Sequence, residues 1–173
     1  MGCDIHCVIE YKKDNSDWDS FGSHSINPGR NYEWFANLAG VRGSPQDNAL
    51  ATGFGLPEKV SWTTIHETSI HVYDGPSGDC TRRSSVSRDI AEKWIQSGVS
   101  KYVEGSHVIT ADGKKVYNLI SHPDWHTFGW CSAKDWKKST LKYKWIDIKC
   151  MNAVIDTLVK NDFEVRVIFW FDN

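Results

Sequence analysis

Two stretches at opposite ends of the chain alternate residue by residue. In "CDIHCVIEY" (3–11), Cys3, Ile5, Cys7 and Ile9 fall on one face, and Asp4, His6, Val8 and Glu10 on the other. In "FEVRVIFWFDN" (163–173), Phe163, Val165, Val167, Phe169 and Phe171 oppose Glu164, Arg166, Ile168, Trp170 and Asp172. Period two is the mark of a β-strand with one apolar face. The two ends are therefore expected to lie together in one sheet, which ties the whole chain between them into a closed fold. "NYEWFANLAGV" reads as a helix with Asn31 as N-cap and Gly40 as stop, and "LKYKWIDIKCMNAVIDTLVKN" as a long helix. Ser132 is placed to start a further helical turn, and Ser87 to cap a short helix over "SVSRDIAEKWIQSG". "SWTTIHETSIHVY" is read as holding a strand, and Asp112-Gly113 as a hairpin turn. The expected class is α+β: one domain over 1–173, a mixed or antiparallel sheet containing both terminal strands, and two to three packed helices.

At 173 residues the chain is long enough for one real core. A net charge of −2 gives no global attraction to nucleic acid, and no apolar run approaches the roughly 18 residues of a membrane span. Charged residues at Asp4, His6, Glu10, Lys12 and Lys13 break any signal-peptide core. Five cysteines without a C-x-x-C pattern argue against a disulfide scaffold and for a reducing, cytoplasmic setting. Gly2 suits acylation, but His6 stands where an acylation signal usually has Ser or Thr. Nine tryptophans are the outlying feature, and Trp serves cores and binding faces alike.

The chemistry-bearing signal is a repeated Asp-x-His spacing. On a strand, Asp4 and His6 project from one face about 7 Å apart, and Asp124 and His126 repeat the spacing. If the two pairs converge, a mixed N/O set results that suits a divalent Zn, Mn, Fe or Ni ion. The competing reading is a polar pocket without metal, in which the same groups hydrogen-bond one another. Arg30, Arg42 and Arg166 are candidates for gripping phosphate or carboxylate, against the plainer reading of ion pairs with nearby acids. Arg82 and Arg83 read as solvated loop charges. Cys3 and Cys7 face the apolar side, which removes a Cys3–His6 nucleophile. No P-loop, Rossmann or HExxH pattern is present.

"MGCDIHCVIEY", "RNYEWFANLAGVRG", "GLPE", "DWHTFGW" and "VRVIFWFDN" together resemble an uncharacterised family of small bacteriophage and prophage proteins. The resemblance covers both ends and scattered middle segments, and against it residues 60–120 look like a divergent or inserted segment; the chain also departs from the pattern at Thr127 and Gly129, where the family carries serines. The resemblance implies a phage setting in a host cytoplasm. It carries over Asp4, His6, Arg30, Asn31, Tyr32, Arg42, Asp124, His126, Trp130, Arg166 and Asp172 as site positions.

Two functions fit. One is a metal-assisted hydrolase of a phosphoester or nucleotide, with Asp4, His6, Asp124 and His126 as ligands or acid–base groups and the arginines neutralising phosphate. Asn31, Tyr32, Trp130 and Asp172 would add ligand contacts. The other is a non-catalytic protein, without cofactor, that sequesters a nucleotide signal or inhibits a host defence or replication protein. Whether the chain is an enzyme, and in what oligomeric state it works, the sequence leaves open.

Overall fold

The computed structural model describes residues 2–43, 49–74, 82–86, 93, 96, 101–103, 119–121 and 125–172. The chain divides into two compact units, one of 1–67 with 125–173 and one of 68–124.

The first unit is built on a five-stranded antiparallel sheet. Its strands are β1 (Ile5–Lys12), β2 (Asp19–Ser20), β3 (Gly53–Phe54), β8 (Trp125–Ser132) and β9 (Glu164–Asp172), in the order β2-β1-β9-β8-β3. The two terminal strands are neighbours, paired from Ile5↔Phe171 to Lys12↔Glu164. The alternation fixes this register. A slip by one residue would move Ile5, Cys7, Ile9, Val167, Phe169 and Phe171, all of them buried, to the wrong face.

Three helices cover the apolar face: α1 (Tyr32–Ala39), α3 (Ala133–Thr140) and α4 (Ile146–Lys160). Trp34, Phe35 and Leu38 of α1, Trp136 of α3, and Ile148, Met151 and Ile155 of α4 pack on the strands. Each fully buried Leu, Ile or Phe contributes roughly 1.5–3 kcal/mol. The helix ends follow the sequence signals. Asn31 Oδ1 accepts from the Trp34 amide at 2.8 Å, and Gly40 takes the left-handed conformation (φ 70°) that closes α1. Ser132 Oγ accepts from the Asp135 amide at 3.1 Å to start α3.

The opposite face is less polar than alternation suggests. Val8, Ile168 and Trp170 are buried there, with Trp125, Phe128 and Trp130 packed around them. Beside them Glu10 and Arg166 form a buried ion pair, with Arg166 Nε donating to Glu10 Oε2 at 2.8 Å. The remaining helix, α2 (Trp62–Thr68), begins on this pair: the Ser61 amide and the Thr64 hydroxyl both donate to Glu10 Oε1. The stretch 61–73 does hold a strand, which begins at Ile70, but its first half is this helix, which the sequence reading did not separate. The β-branched run Thr63-Thr64-Ile65 favours a strand in isolation. Ser61 nevertheless caps the segment, and Glu10 holds its first turn as a helix.

The second unit carries a four-stranded sheet of β4 (Ile70–Asp74), β5 (Arg82–Val86), β6 (Lys101–Val103) and β7 (Leu119–Ser121), in the order β5-β4-β7-β6, with β6 and β7 parallel. Arg82 and Arg83, read as loop residues, begin β5. The expected Asp112-Gly113 hairpin turn and the Ser87 cap lie outside the described residues.

Candidate functional site

The candidate site forms where β1 begins and β9 ends, because antiparallel pairing of the terminal strands brings residues from both ends of the chain together. Asp4 and Asp172 meet there. The Asp4 amide donates to Asp172 Oδ1 at 2.8 Å, and the Asp172 amide donates to the Asp4 carbonyl at 3.1 Å. Asp172 Oδ2 lies 3.0 Å from His6 Nε2. Against a carboxylate acceptor that nitrogen carries the proton, which leaves Nδ1 as the basic atom of the ring.

Arg30, on the segment entering α1, closes the cluster. Its Nε and Nη2 grip Asp4 Oδ1 and Oδ2 at 2.9 and 2.7 Å, a bidentate fork. This grip holds the Asp4 carboxyl below the usual carboxylate range, and the carboxylate in turn raises Arg30. The fork lies against the backbone of Gly2, where a Cβ would sit 2.1 Å from Arg30 Nη1. A side chain at position 2 would therefore displace the Arg30 guanidinium from this place. Two of the five guanidinium N–H donors go to Asp4, and the side chain is about half exposed.

Aromatic rings wall the cluster on the same face. The His6 imidazole stacks parallel on Trp170, with centroids 5.6 Å apart and planes 8° apart, and lies 6.0 Å from Trp125. Trp170 is fully buried, and its indole N–H has no hydrogen-bond partner among the described residues. A buried donor left in this state costs about 1–3 kcal/mol until an acceptor reaches it.

On the other face of the same rim, burial pushes the Cys3 thiol up, and Arg42 beside it works against that shift. Arg42 itself takes a left-handed backbone (φ 58°) just beyond α1. Asn31 caps α1, and Tyr32, on its first turn, is exposed. The structure thus gathers Asp4, His6, Arg30, Tyr32, Arg42 and Asp172 at one rim, Tyr32 through a hydrogen bond with the Arg30 side chain.

It does not gather the rest. His126 pairs with Phe171 and stacks on it at 6.1 Å, whereas His6 pairs with and stacks on Trp170. Trp170 and Phe171 are consecutive, so the two imidazoles project from opposite faces of the sheet. His126 Nδ1 instead meets Thr127 Oγ1 at 2.9 Å, inside an irregularity of β8 where Thr127 has φ 51°. Asp124 lies outside the described residues. Among the described residues, no three His, Cys, Asp or Glu side chains are grouped so as to hold a metal ion. Arg166 lies further along β9, paired with Glu10 and stacked 3.7 Å over Trp18, and Trp130 packs on the Val8–Ile168 cluster. Reasoning from residues alone passed over Gly2, Trp125 and the partnership of Trp170 with His6. Strand parity was the available signal for the last, since Trp170 shares a face with Asp172.

Searches against protein-family models, curated proteins and solved structures each found no match to this chain. No described helix is long and apolar enough to cross a membrane.

Proposed function

We propose that the chain is a non-catalytic binding protein for an anionic, ring-bearing small molecule of nucleotide type, held at the rim of the terminal strands. The observation that carries this reading is the pairing of the rim's charged groups. Asp4 is held by Arg30, and His6 by Asp172, so the strongest ligating and acid–base groups serve each other. What remains for a ligand is recognition chemistry. Arg30 keeps N–H donors beyond those used on Asp4, and Trp125, beside His6, offers a ring. Arginine with aromatic faces is a recurrent way to hold a phosphate and a base. In the bacteriophage setting that the sequence resemblance implies, such binding would sequester a nucleotide signal of the host.

One observation favours the hydrolase instead. A carboxylate-oriented imidazole such as Asp172–His6 is the arrangement that fixes a tautomer for general-base work or metal ligation. In that reading Asp4 and His6 would hold a divalent Zn, Mn, Fe or Ni ion.

The two separate by the fate of the ligand. Purified protein is titrated calorimetrically with a panel of mono-, di- and cyclic nucleotides, with Mn²⁺ and with EDTA, and the nucleotide is then recovered by chromatography. Binding in EDTA with the nucleotide returned intact supports sequestration. Metal-dependent conversion supports the hydrolase. No heat and no conversion with any member of the panel overturns both.

A further inference from the structure

Away from the rim, the helical layer contains a cluster of buried polar atoms that the protein itself does not satisfy. Trp34 of α1 touches Trp136 of α3 edge-on (5.6 Å between centroids) and Tyr143 of the α3–α4 turn (6.0 Å). Both indoles are fully buried. Trp34 Nε1, Trp136 Nε1, the Tyr143 hydroxyl and Asn152 Oδ1 of α4 are all shielded from solvent, and none has a hydrogen-bond partner among the described residues. Asn152 belongs to the same cluster. Its Nδ2 donates to Thr140 Oγ1 at 3.2 Å, and that hydroxyl donates to the Trp136 carbonyl at 3.0 Å. This contact also fixes which end of the amide is oxygen, because the hydroxyl proton is already given to the carbonyl and Oγ1 can only accept.

Four such atoms in one cluster stand against a strong tendency. Buried polar groups are nearly always paired, and each orphan costs about 1–3 kcal/mol. The donor and acceptor count identifies what pairs them. The two indole N–H groups can only donate, the amide oxygen can only accept, and the phenol can do either. A ligand satisfying all four must accept two hydrogen bonds from the indoles and donate one to the amide oxygen, and can either donate to or accept from the phenol. An anion would be repelled by Asn152 Oδ1, and a cation by the indole N–H groups. Water matches the set, and buried waters typically make about three such bonds to otherwise unsatisfied groups.

The structure assigns to this cluster an internal water site that joins α1, α3, the turn after it and α4 through Trp34, Trp136, Tyr143 and Asn152. The bound water is a structural part of the helical layer, distinct from the ligand site at the rim. Its exchange with bulk is slow compared with surface hydration.

The test is water-selective NOE and ROE spectroscopy on the ¹⁵N-labelled protein, with the indole resonances assigned by triple-resonance methods on the wild type. Expected are water cross-peaks at the Nε1–H of both Trp34 and Trp136, of opposite sign in the two experiments, which marks a water held longer than about a nanosecond. In Tyr143→Phe, which removes the only exchangeable hydroxyl of the four groups, the cross-peaks remain. Absence of the cross-peaks at both indoles overturns the proposal. So does their loss in Tyr143→Phe with the fold otherwise intact by chemical shift, because the signal would then have been relayed by the phenol proton. Should that variant fail to fold, the wild-type spectra decide alone: cross-peaks of opposite sign at both indoles are the expected result, and their absence overturns the proposal.

Discussion

Replacing Glu10 by leucine should be among the most damaging single changes in the first unit, and replacing Arg166 at the same time should repair much of it. Glu10 has no exposed surface and accepts from Arg166 Nε, the Ser61 amide and the Thr64 hydroxyl, with Arg166 Nη2 a further 2.7 Å away. Without the carboxylate, a nearly buried guanidinium keeps only the Lys59 carbonyl and the face of Trp18, and α2 loses the acceptor for its first turn. Breaking a buried pair from one side costs about 3–5 kcal/mol, because a charge is left uncompensated. For a chain of this size that lowers Tm by roughly 10 °C. Arg166→Met alone should cost a similar amount. In Glu10→Leu/Arg166→Met no charge is stranded, and the neutral Ser61 amide, Thr64 hydroxyl and Lys59 carbonyl each lose one hydrogen bond, at about 1 kcal/mol apiece. Urea unfolding of wild type, both single variants and the double variant gives the cycle. A double variant as unstable as the sum of the singles would refute the reasoning, as would a Glu10→Leu cost below about 1 kcal/mol.

Other outcomes follow from the same geometry. Asp4 has its pKa lowered in the folded state by Arg30, so its contribution to stability is present above the unfolded value of about 3.9 and is lost as pH falls through the folded value. The urea midpoint of wild type should therefore fall more between pH 7 and pH 3 than that of Asp4→Asn; equal falls would contradict the ion pair. Cys3, Cys7 and Cys131 are buried, with burial pushing the Cys131 thiol up to about 12, whereas Cys150 is exposed. Mass spectrometry after a brief thiol-labelling pulse should find Cys150 modified, and Cys3, Cys7 and Cys131 protected until denaturant is added. A Cβ at Gly129 would lie 2.6 Å from Phe169 Cζ in the packed core. Gly129→Ala should accordingly cost about 1–3 kcal/mol by overpacking, read from the same urea midpoints.

Much of the sheet was legible because side-chain parity in a strand is local information. Cys3 to Ile9 and Val165 to Phe171 declare their faces without reference to anything else, and the core forms on those faces. Caps were legible for the same reason: Asn31, Gly40 and Ser132 act within three or four residues of their own position. The site was legible only in part. Asp4 and His6 announced themselves by spacing, but their partner Asp172 lies 168 positions from Asp4, and only strand pairing brings it back. The second Asp-x-His pair looked equivalent to the first. Its histidine reaches the other face because β8 is registered on β9 with His126 opposite Phe171, and register is not written in a spacing. Arg166 looked available for phosphate because its partner, Glu10, sits on a different strand. The start of α2 went unread because a tertiary contact with that same glutamate overrides the strand preference of Thr63, Thr64 and Ile65.

The rim as a nucleotide-binding site is tested most directly by mapping amide and indole chemical shifts in a ¹H–¹⁵N correlation spectrum as a bound nucleotide is added. The account predicts movement concentrated at Asp4, His6, Arg30, Tyr32 and Asp172 and at the indole N–H of Trp125 and Trp170, together with weakened binding in Arg30→Lys, which keeps the charge but loses the fork. Shifts centred on α2 or on the second unit, with the Trp170 indole unmoved and Arg30→Lys binding as wild type, would contradict it.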